Sequence, residues 1–365
     1  MNHNIEEILA QCTNILPGHG PRRPMKEIFI DMAGTLTGDE YLDRYGSGSY
    51  LAEFEAEMSQ MFGQETAVFL PSGTMAQQIA LRIWCQRRHN FTVAMHPSAH
   101  LEWAEHSGHQ FLHHIQRLQF GAPEHLRHRL LNVEDFEELG QEPGVILLEL
   151  PYRPLGGQLP TWDELVAISQ WARQRHIPFH LDGARIWSCR PFYQKTFSEI
   201  AALFDSLYIS FYKDLGGLSG AMLLGSESFI KEARVWQVRY GGRLITHGPS
   251  LVSARMGLGR TLPQIDQWVE KACAVAEILN GYDRISTSPN PPHTNIFQLF
   301  IQGDPEKLID RHMRLAQETG TFLFSNLRAS PVPDIVQTEL HCWENALAFD
   351  IDALPPFIEG LLSTS

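Results

Sequence analysis

IPFHLDGARIW, residues 177–187, combines an apolar run with an aspartate at its end, Asp182, and a Gly-Ala-Arg turn after it. The run predicts a buried strand that delivers a carboxylate to its carboxyl end. Similar patterns alternate on both sides of it, with strands predicted at 65–71, 91–96, 144–150, 206–213 and 220–225 and helices at 75–88, 162–176 and 198–204. Buried strands separated by helices are typical of an α/β fold with a mostly parallel central sheet.

The C-terminal part of the chain predicts a second, smaller domain. A long helical segment covers about residues 249–279, and the strand–helix alternation of an α+β domain follows it. At the other end, the spacing of Ile5, Ile8 and Leu9 predicts a short amphipathic helix. We therefore predict an N-terminal helical arm (1–20), a large domain (21–250) and a small C-terminal α+β domain (251–365).

Composition and charge argue against several classes of protein. A formal net charge of −13 argues against a nucleic-acid partner, because neutralising phosphates needs a basic surface. No apolar run approaches the roughly 20 residues of a membrane helix, and the first residues lack a secretory signal. The five scattered cysteines indicate a reducing cytoplasm, and the 17 histidines lack metal-ligand spacing, so we predict no metal site.

A turn that suits an anion follows the first predicted strand of the large domain. Ser72, Gly73 and Thr74 open a helix, where free backbone N–H groups and the helix dipole attract negative charge. The two hydroxyl groups add further donors. Taken alone, Ser-Gly-Thr before a helix is equally an ordinary helix cap.

Asp182 is the second element of a predicted site. In α/β sheets ligands bind at the carboxyl ends of the strands, and a carboxylate buried there needs a cationic or hydrogen-bonded partner. The protonated nitrogen of a pyridine ring is such a partner. The alternative is that Asp182 only caps the turn that follows it.

Lys213 is the third element. It ends the apolar run SLYISFYK (206–213) and is followed at once by Asp-Leu-Gly-Gly. A buried lysine shifts its pKa readily, which suits Schiff-base chemistry, and glycines let the backbone approach a ligand closely. Ser210 is placed to supply another hydroxyl group to a phosphate. For any single lysine, an exposed loop position is the alternative.

An anion-binding turn, a strand-end aspartate and a strand-end lysine, in this order, are the parts of a fold-type I pyridoxal-5′-phosphate (PLP) enzyme. The sequence then resembles the threonine aldolase/β-eliminating lyase family in five consecutive blocks. They are RYGSGSYLAEFEAEMSQMFGQETAVFLPSGTMAQQIAL (44–81), SAHLEWAE (98–105), HLDGARIW (180–187), SFYKDLGGLSGAMLLGS (210–226) and GGRLITHGPSLVSA (241–254).

The resemblance implies roles for particular residues. Gly73 and Thr74 would hold the cofactor phosphate, and His100 would stack on the pyridine ring near the substrate hydroxyl group. Asp182 would pair with the ring nitrogen, and Lys213 would bind the cofactor covalently. Arg185 would bind the substrate carboxylate. The resemblance also implies a homo-oligomer, a dimer or a tetramer, whose subunits complete each other's sites.

Three positions depart from the family pattern. Tyr152 stands where the family has a histidine near the substrate hydroxyl group, and a phenol is a better hydrogen-bond donor than base at neutral pH. Gln337 stands where the family has a second carboxylate-binding arginine. The family's basic residue after its glycines aligns with Ile245, and Arg243 lies two residues earlier.

The sequence therefore predicts a PLP-dependent aldolase that cleaves the Cα–Cβ bond of a threonine-type β-hydroxy amino acid into glycine and an aldehyde. The predicted catalytic residues are Lys213, His100, Asp182 and Tyr152. The predicted cofactor-binding residues are Ser72, Gly73, Thr74, His100, Asp182, Arg185, Ser210, Lys213 and Arg243. β-Elimination or racemisation of an amino acid is the alternative with the same cofactor, and a non-catalytic binding protein is the third.

Overall fold

The computed structural model describes residues 5–20, 23–121 and 125–363. These residues form two compact units. The larger contains residues 23–154 and 159–263, and the smaller contains the N-terminal segment up to Gly20, residues 155–158 and the chain from Gln264 onward. The three-part division predicted from the sequence, with its boundary at residue 250, stays a prediction about domains.

The strands run in chain order as β1 (Asn14–Ile15), β2 (Thr66–Leu70), β3 (Thr92–Ala94), β4 (Gln116–Arg117), β5 (Val145–Glu149), β6 (Phe179–Gly183), β7 (Ser206–Ser210), β8 (Ala221–Gly225), β9 (Ile285–Ser288), β10 (Ile296–Gln302), β11 (Thr321–Phe322), β12 (Arg328–Ala329) and β13 (Ile335–His341). The α-helices of the larger unit cover Met25–Ala33, Ser49–Phe62, Gly73–Arg88, His100–Trp103, Gly108–His113, Val133–Glu137, Trp162–Gln174, Arg190–Tyr193, Phe197–Ala201, Glu227–Arg239 and Gly248–Arg260. Those of the smaller unit cover Ile5–Gln11, Ile265–Asn280, Pro305–Thr319, Glu344–Ala348 and Leu354–Leu362.

The larger unit is built on a sheet with the strand order β2-β8-β7-β6-β5-β3-β4. Only β8 is antiparallel to its neighbours β2 and β7, and the remaining pairs are parallel. This arrangement confirms the predicted α/β class with a mostly parallel central sheet. Because β5, β6 and β7 run in one direction, their carboxyl ends lie side by side at the same edge.

The central strands of this sheet are buried on both faces. Every residue of β5, β6 and β7 is buried, which is why they appear in the sequence as continuous apolar runs rather than as alternating patterns. The helix Trp162–Gln174 between β5 and β6 starts at a capping box, in which Thr161 and Glu164 bond each other's backbone N–H groups. Such a cap stabilises a helix by about 1 kcal/mol.

The smaller unit has an antiparallel sheet in the order β12-β13-β10-β9. Buried and partly exposed residues alternate along β13, as expected for a sheet that packs on one face only. The N-terminal helix Ile5–Gln11 belongs to this unit, because Ile8 packs with Met313 and Phe322 in one apolar cluster. Among the described helices, none combines the length and the apolar character that crossing a membrane requires.

Candidate active site

A cavity with an empty volume of about 410 Å³ opens at the carboxyl ends of β5, β6 and β7. Its wall includes His100, Glu149, Asp182, Arg185 and Lys213. Four of these residues were predicted as site residues from three separate motifs, and the structure brings them to one place. The reason is topological, since parallel strands that are neighbours in a sheet present their carboxyl ends at the same edge.

Asp182 is buried at the end of β6. One carboxylate oxygen, Oδ1, accepts a hydrogen bond from the backbone N–H of Ala184 at 3.0 Å. Burial raises the pKa of Asp182, and the positive charge of Lys213 opposes that rise. The carboxylate therefore lies where an additional cation would stabilise its charged form.

Lys213 follows β7 and faces the same cavity. Burial lowers the pKa of its amine, the negative charge of Asp182 opposes that change, and the nearby guanidinium of Arg185 adds to it. A lowered pKa increases the fraction of neutral amine, which is the nucleophilic form. The environment of Lys213 thus suits covalent chemistry with a carbonyl group.

Arg185 is held in the cavity wall by a residue that the sequence analysis did not single out. Its Nη1 lies 2.5 Å from Oδ1 of Asp214, and both side chains are buried. An ion pair in this environment fixes the direction of the guanidinium, because breaking it would leave a buried charge without its partner. The sequence signal that could have identified Asp214 is its position directly after Lys213.

His100 begins a short helix on the other side of the cavity. Its backbone N–H donates a hydrogen bond to Oε1 of Glu149 at 2.6 Å. Glu149 ends β5 and pairs in register with Asp182 on β6. Burial, together with the negative charge of Asp182, raises the pKa of Glu149 to about 8. Glu149 was also missed from the sequence, where it is the last residue of an apolar run.

Replacing Glu149 by glutamine is expected to flatten the pH dependence of stability in the protein without cofactor. The folded-state pKa of about 8 lies above the ordinary value of 4.5, so between these values the folded state binds the extra proton. The free energy of unfolding of the wild type should therefore fall, by a few kcal/mol at most, as the pH rises through this window. In the variant, the glutamine amide oxygen still accepts the hydrogen bond from the backbone N–H of His100. The free energy of unfolding of the variant should therefore fall much less over the same pH range.

Chemical denaturation at about pH 5 and about pH 9 measures this difference. Glu137→Gln, at an exposed position of the helix Val133–Glu137, is the matched control. Equal pH slopes in the wild type and in Glu149→Gln would show that Glu149 is ionised throughout the window.

The family model of β-eliminating lyases matches residues 22–303 of this chain. The chain belongs to the β-eliminating lyase family. A Listeria monocytogenes structure, provisionally named an L-allo-threonine aldolase, is 35% identical with a TM-score of 0.92, and the match covers 98% of each chain. The Leishmania major threonine aldolase structure, at 19% identity and a TM-score of 0.70, shares the fold, covering 95% of this chain and 98% of that chain. These structures confirm the predicted fold-type I architecture.

Two curated relatives differ in the activity that their names state. The low-specificity L-threonine aldolase of Escherichia coli is 28% identical over 263 residues, which cover 70% of this chain and 76% of that protein. An alanine racemase of Cochliobolus carbonum is 29% identical over 246 residues, which cover 65% of this chain and 60% of that protein. Two relatives at similar identity to this chain thus carry different reaction names.

The predicted anion-binding turn of this family member starts the helix Gly73–Arg88. Ser72 is its N-cap, and its hydroxyl oxygen accepts a hydrogen bond from the backbone N–H of Met75 at 3.3 Å. A Cβ at Gly73 would lie 2.0 Å from the hydroxyl oxygen of Tyr208, which pairs in register with Asp182. Gly73 is therefore required by packing as well, and Thr74 is exposed at the helix start.

Ser210 is fully buried, and its hydroxyl group donates a hydrogen bond to the carbonyl oxygen of Ala184 at 2.7 Å. The hydroxyl hydrogen of Ser210 is therefore already donated to a carbonyl oxygen, whereas binding a phosphate would need that same hydrogen. The role of Ser210 as a phosphate ligand stays a prediction that its position does not support.

Tyr152 follows β5 and is buried. Its hydroxyl group donates to Nδ1 of His96 at 2.6 Å, and the oxygen of Ser98 is 3.1 Å away. It lines a second, mainly aliphatic cavity with an empty volume of about 350 Å³, where it meets Leu131 and Leu148. Burial raises the pKa of the Tyr152 phenol above its ordinary value. The predicted catalytic role of Tyr152 receives no support from this geometry.

Arg243 lies outside the wall of the cavity that contains Lys213. Arg243 is exposed, and its side chain lies beside Gly46. Gln337 is part of β13 in the smaller unit, where it pairs in register with Phe300. The role of Arg243 in cofactor binding stays a prediction.

Proposed function

We propose that this chain is a PLP-dependent aldolase that cleaves a β-hydroxy amino acid into glycine and an aldehyde. The observation that carries the proposal is the meeting of Lys213, Asp182, Arg185 and His100 at one cavity. The names of the threonine aldolase relatives support the same reaction.

The residues of the cavity fit PLP. Asp182 is a buried carboxylate, and burial raises its pKa. A cationic ring nitrogen beside it would lower that pKa again and stabilise the charged form. Lys213 offers a buried amine to the cofactor aldehyde. The N-terminus of the helix Gly73–Arg88, with Ser72 and Thr74, would hold the phosphate. When bound, PLP supplies an electron sink for the pair released from the Cα–Cβ bond.

The protein side chains would orient the substrate and move its proton. Arg185, steadied by Asp214, would bind the carboxylate of the amino acid. His100 would accept the proton of the β-hydroxyl group as the Cα–Cβ bond breaks. The aldehyde then leaves, and protonation at Cα gives glycine.

Product analysis tests the proposal. The purified protein with PLP is incubated with both diastereomers of threonine and with 3-phenylserine, and glycine and aldehyde are measured. We expect both products in equal amounts from at least one substrate. Absence of both products from the whole panel would overturn the aldolase assignment.

Racemisation or β-elimination is the second candidate. The alanine racemase relative favours it, and so does Tyr152, because its phenol lines the second cavity and not the one that contains Lys213. Both reactions need the cofactor, Asp182 and Lys213, but neither needs a base at the β-hydroxyl group. The products separate the candidates, since racemisation inverts the amino acid, elimination releases a keto acid and ammonia, and retro-aldol cleavage releases glycine.

We also propose that the chain forms a homo-oligomer through an apolar patch on the larger unit. The patch consists of Tyr41, Leu42, Tyr45, Leu244 and Ile245, which are between 42% and 82% exposed. Its two segments are adjacent, because the backbone N–H of Tyr45 donates to the carbonyl of Ile245 at 2.9 Å. Large contiguous apolar patches mark interaction sites. Arg243 borders this patch, consistent with subunits that complete each other's sites.

Ile245→Asp is expected to shift the protein toward the monomer, because the carboxylate would have to be desolvated at the interface. Light scattering coupled to size-exclusion chromatography measures the molar mass over a range of concentrations. Val332→Asp, at a similarly exposed position of the smaller unit, is the control. The patch is not the interface if both variants keep the molar mass of the wild type.

A cytoplasmic location remains part of the proposal. Each of the five cysteines lies in the described part of the chain and carries a free thiol. Free thiols are the usual state of cysteine in a reducing compartment.

A further inference from the structure

His100 has a second acidic neighbour besides Glu149. Nδ1 of its imidazole lies 3.3 Å from Oε1 of Glu105, whose side chain is only 3% exposed. The other carboxylate oxygen of Glu105 accepts a hydrogen bond from the side-chain amide of Gln78 at 3.1 Å. Gln78 is itself buried in the helix Gly73–Arg88. Glu105 thus connects His100 to the helix that begins at the predicted phosphate site.

The contact between Glu105 and His100 favours one position of the imidazole hydrogen. Nδ1 of His100 and the Glu105 carboxylate are 3.3 Å apart, within ion-pair distance, and because a carboxylate can only accept a hydrogen, this neighbour stabilises the form of His100 that carries its hydrogen on Nδ1. Neutral imidazole carries one hydrogen, and the other nitrogen is then an acceptor. In the described part of the chain, Nε2 of His100 has no hydrogen-bond partner, and His100 lines the cavity that contains Lys213.

We propose that Glu105 is a positioning residue that keeps the proton of neutral His100 on Nδ1 and thereby leaves Nε2 as the proton acceptor of the site. The consequence for the rate rests on the proposed aldolase function, whereas the position of the proton does not. Glu105 need not touch the substrate or the cofactor for this role.

A purely structural role for Glu105 is the alternative, because its bond to Gln78 connects the segment after the helix His100–Trp103 to the helix Gly73–Arg88. Glu105→Gln separates the two roles. The new amide oxygen keeps the hydrogen bond from Gln78, so the amide NH₂ group turns toward Nδ1 of His100. That group donates instead of accepting, and it should move the imidazole proton to Nε2.

The test combines ¹⁵N NMR of histidine-labelled full-length protein, with and without PLP, with retro-aldol kinetics. At alkaline pH, where imidazoles are neutral, the ¹⁵N shifts identify the protonated nitrogen, and His100→Asn assigns its signals. We expect the proton on Nδ1 in the wild type and on Nε2 in Glu105→Gln. We also expect kcat to fall on the order of 100-fold while KM changes little.

Glu102→Gln is the matched control. Glu102 lies in the same helix as His100, but its carboxylate pairs with Arg117 at 2.9 Å. This variant should leave the His100 tautomer and kcat unchanged. A wild-type proton on Nε2, or an unchanged tautomer in a folded Glu105→Gln protein, would overturn the proposal. If no retro-aldol activity exists, the aldolase function fails, and the NMR result still decides the role of Glu105.

Discussion

Lys213→Ala is expected to abolish the reaction and the visible absorbance of covalently bound PLP. The substitution removes the amine that would hold the cofactor aldehyde, and neither Arg185 nor another residue of the cavity wall offers a replacement amine. The rate should fall by at least about 10³-fold, because loss of a covalent catalyst leaves only binding effects. The same variant removes the positive charge that holds down the pKa of Asp182, so that pKa should rise further.

Steady-state kinetics and absorbance spectra of the purified protein measure these effects. Lys195→Ala is the control, because Lys195 is not part of the cavity wall and pairs with the exposed Glu199. Lys195→Ala should keep both the activity and the spectrum. A Lys213→Ala protein with wild-type activity and a borohydride-sensitive absorbance band would refute the assignment of the covalent lysine.

Asp182→Asn is expected to lower kcat on the order of 10²- to 10³-fold while the fold is retained. The amide oxygen can still accept the hydrogen bond from Ala184, so the local structure has little reason to change. A neutral amide, however, cannot keep a pyridine nitrogen protonated, and an unprotonated ring is a weaker electron sink. Because Asp182 also raises the pKa of Lys213, that pKa should fall in the variant.

The measurement is kcat together with a pH titration of the PLP absorbance in the wild type and the variant. Asp163→Asn, at an exposed position in the first turn of the helix Trp162–Gln174, is the control. Asp182 is not the partner of the ring nitrogen if Asp182→Asn keeps both the rate and the titration curve of the wild type.

Sequence reasoning succeeded where a residue's role follows from its place on a strand. Asp182 and Lys213 end apolar runs, and the parallel sheet necessarily collects such ends at one edge. Tyr152 lies three residues after β5 and Ser210 is the last residue of β7, and in both cases a hydrogen bond to a neighbouring residue occupies the hydroxyl group. The direction of a side chain after a strand depends on the local path of the backbone, and the packing of Tyr152 on His96 decides that direction.

The residues that support the site were harder to predict than the site itself. Asp214 and Glu149 are acidic side chains whose role depends on a partner that is distant in sequence. Arg185 lies 29 residues from Asp214, and His100 lies 49 residues from Glu149. A single sequence contains no record of such pairs, because a buried charge can be satisfied by many different partners.

By itself the sequence determined the α/β class, the buried central strands of the larger unit and the positions of the aspartate and the lysine that end two apolar runs. These properties depend on local periodicity and on the geometry of parallel sheets, which one sequence records directly. Only the tertiary structure decided that Arg185 is held by Asp214, that His100 contacts the carboxylates of Glu149 and Glu105 and that Tyr152 lines another cavity. Those outcomes depend on burial and on contacts between distant segments, where desolvation makes each buried polar group find a partner.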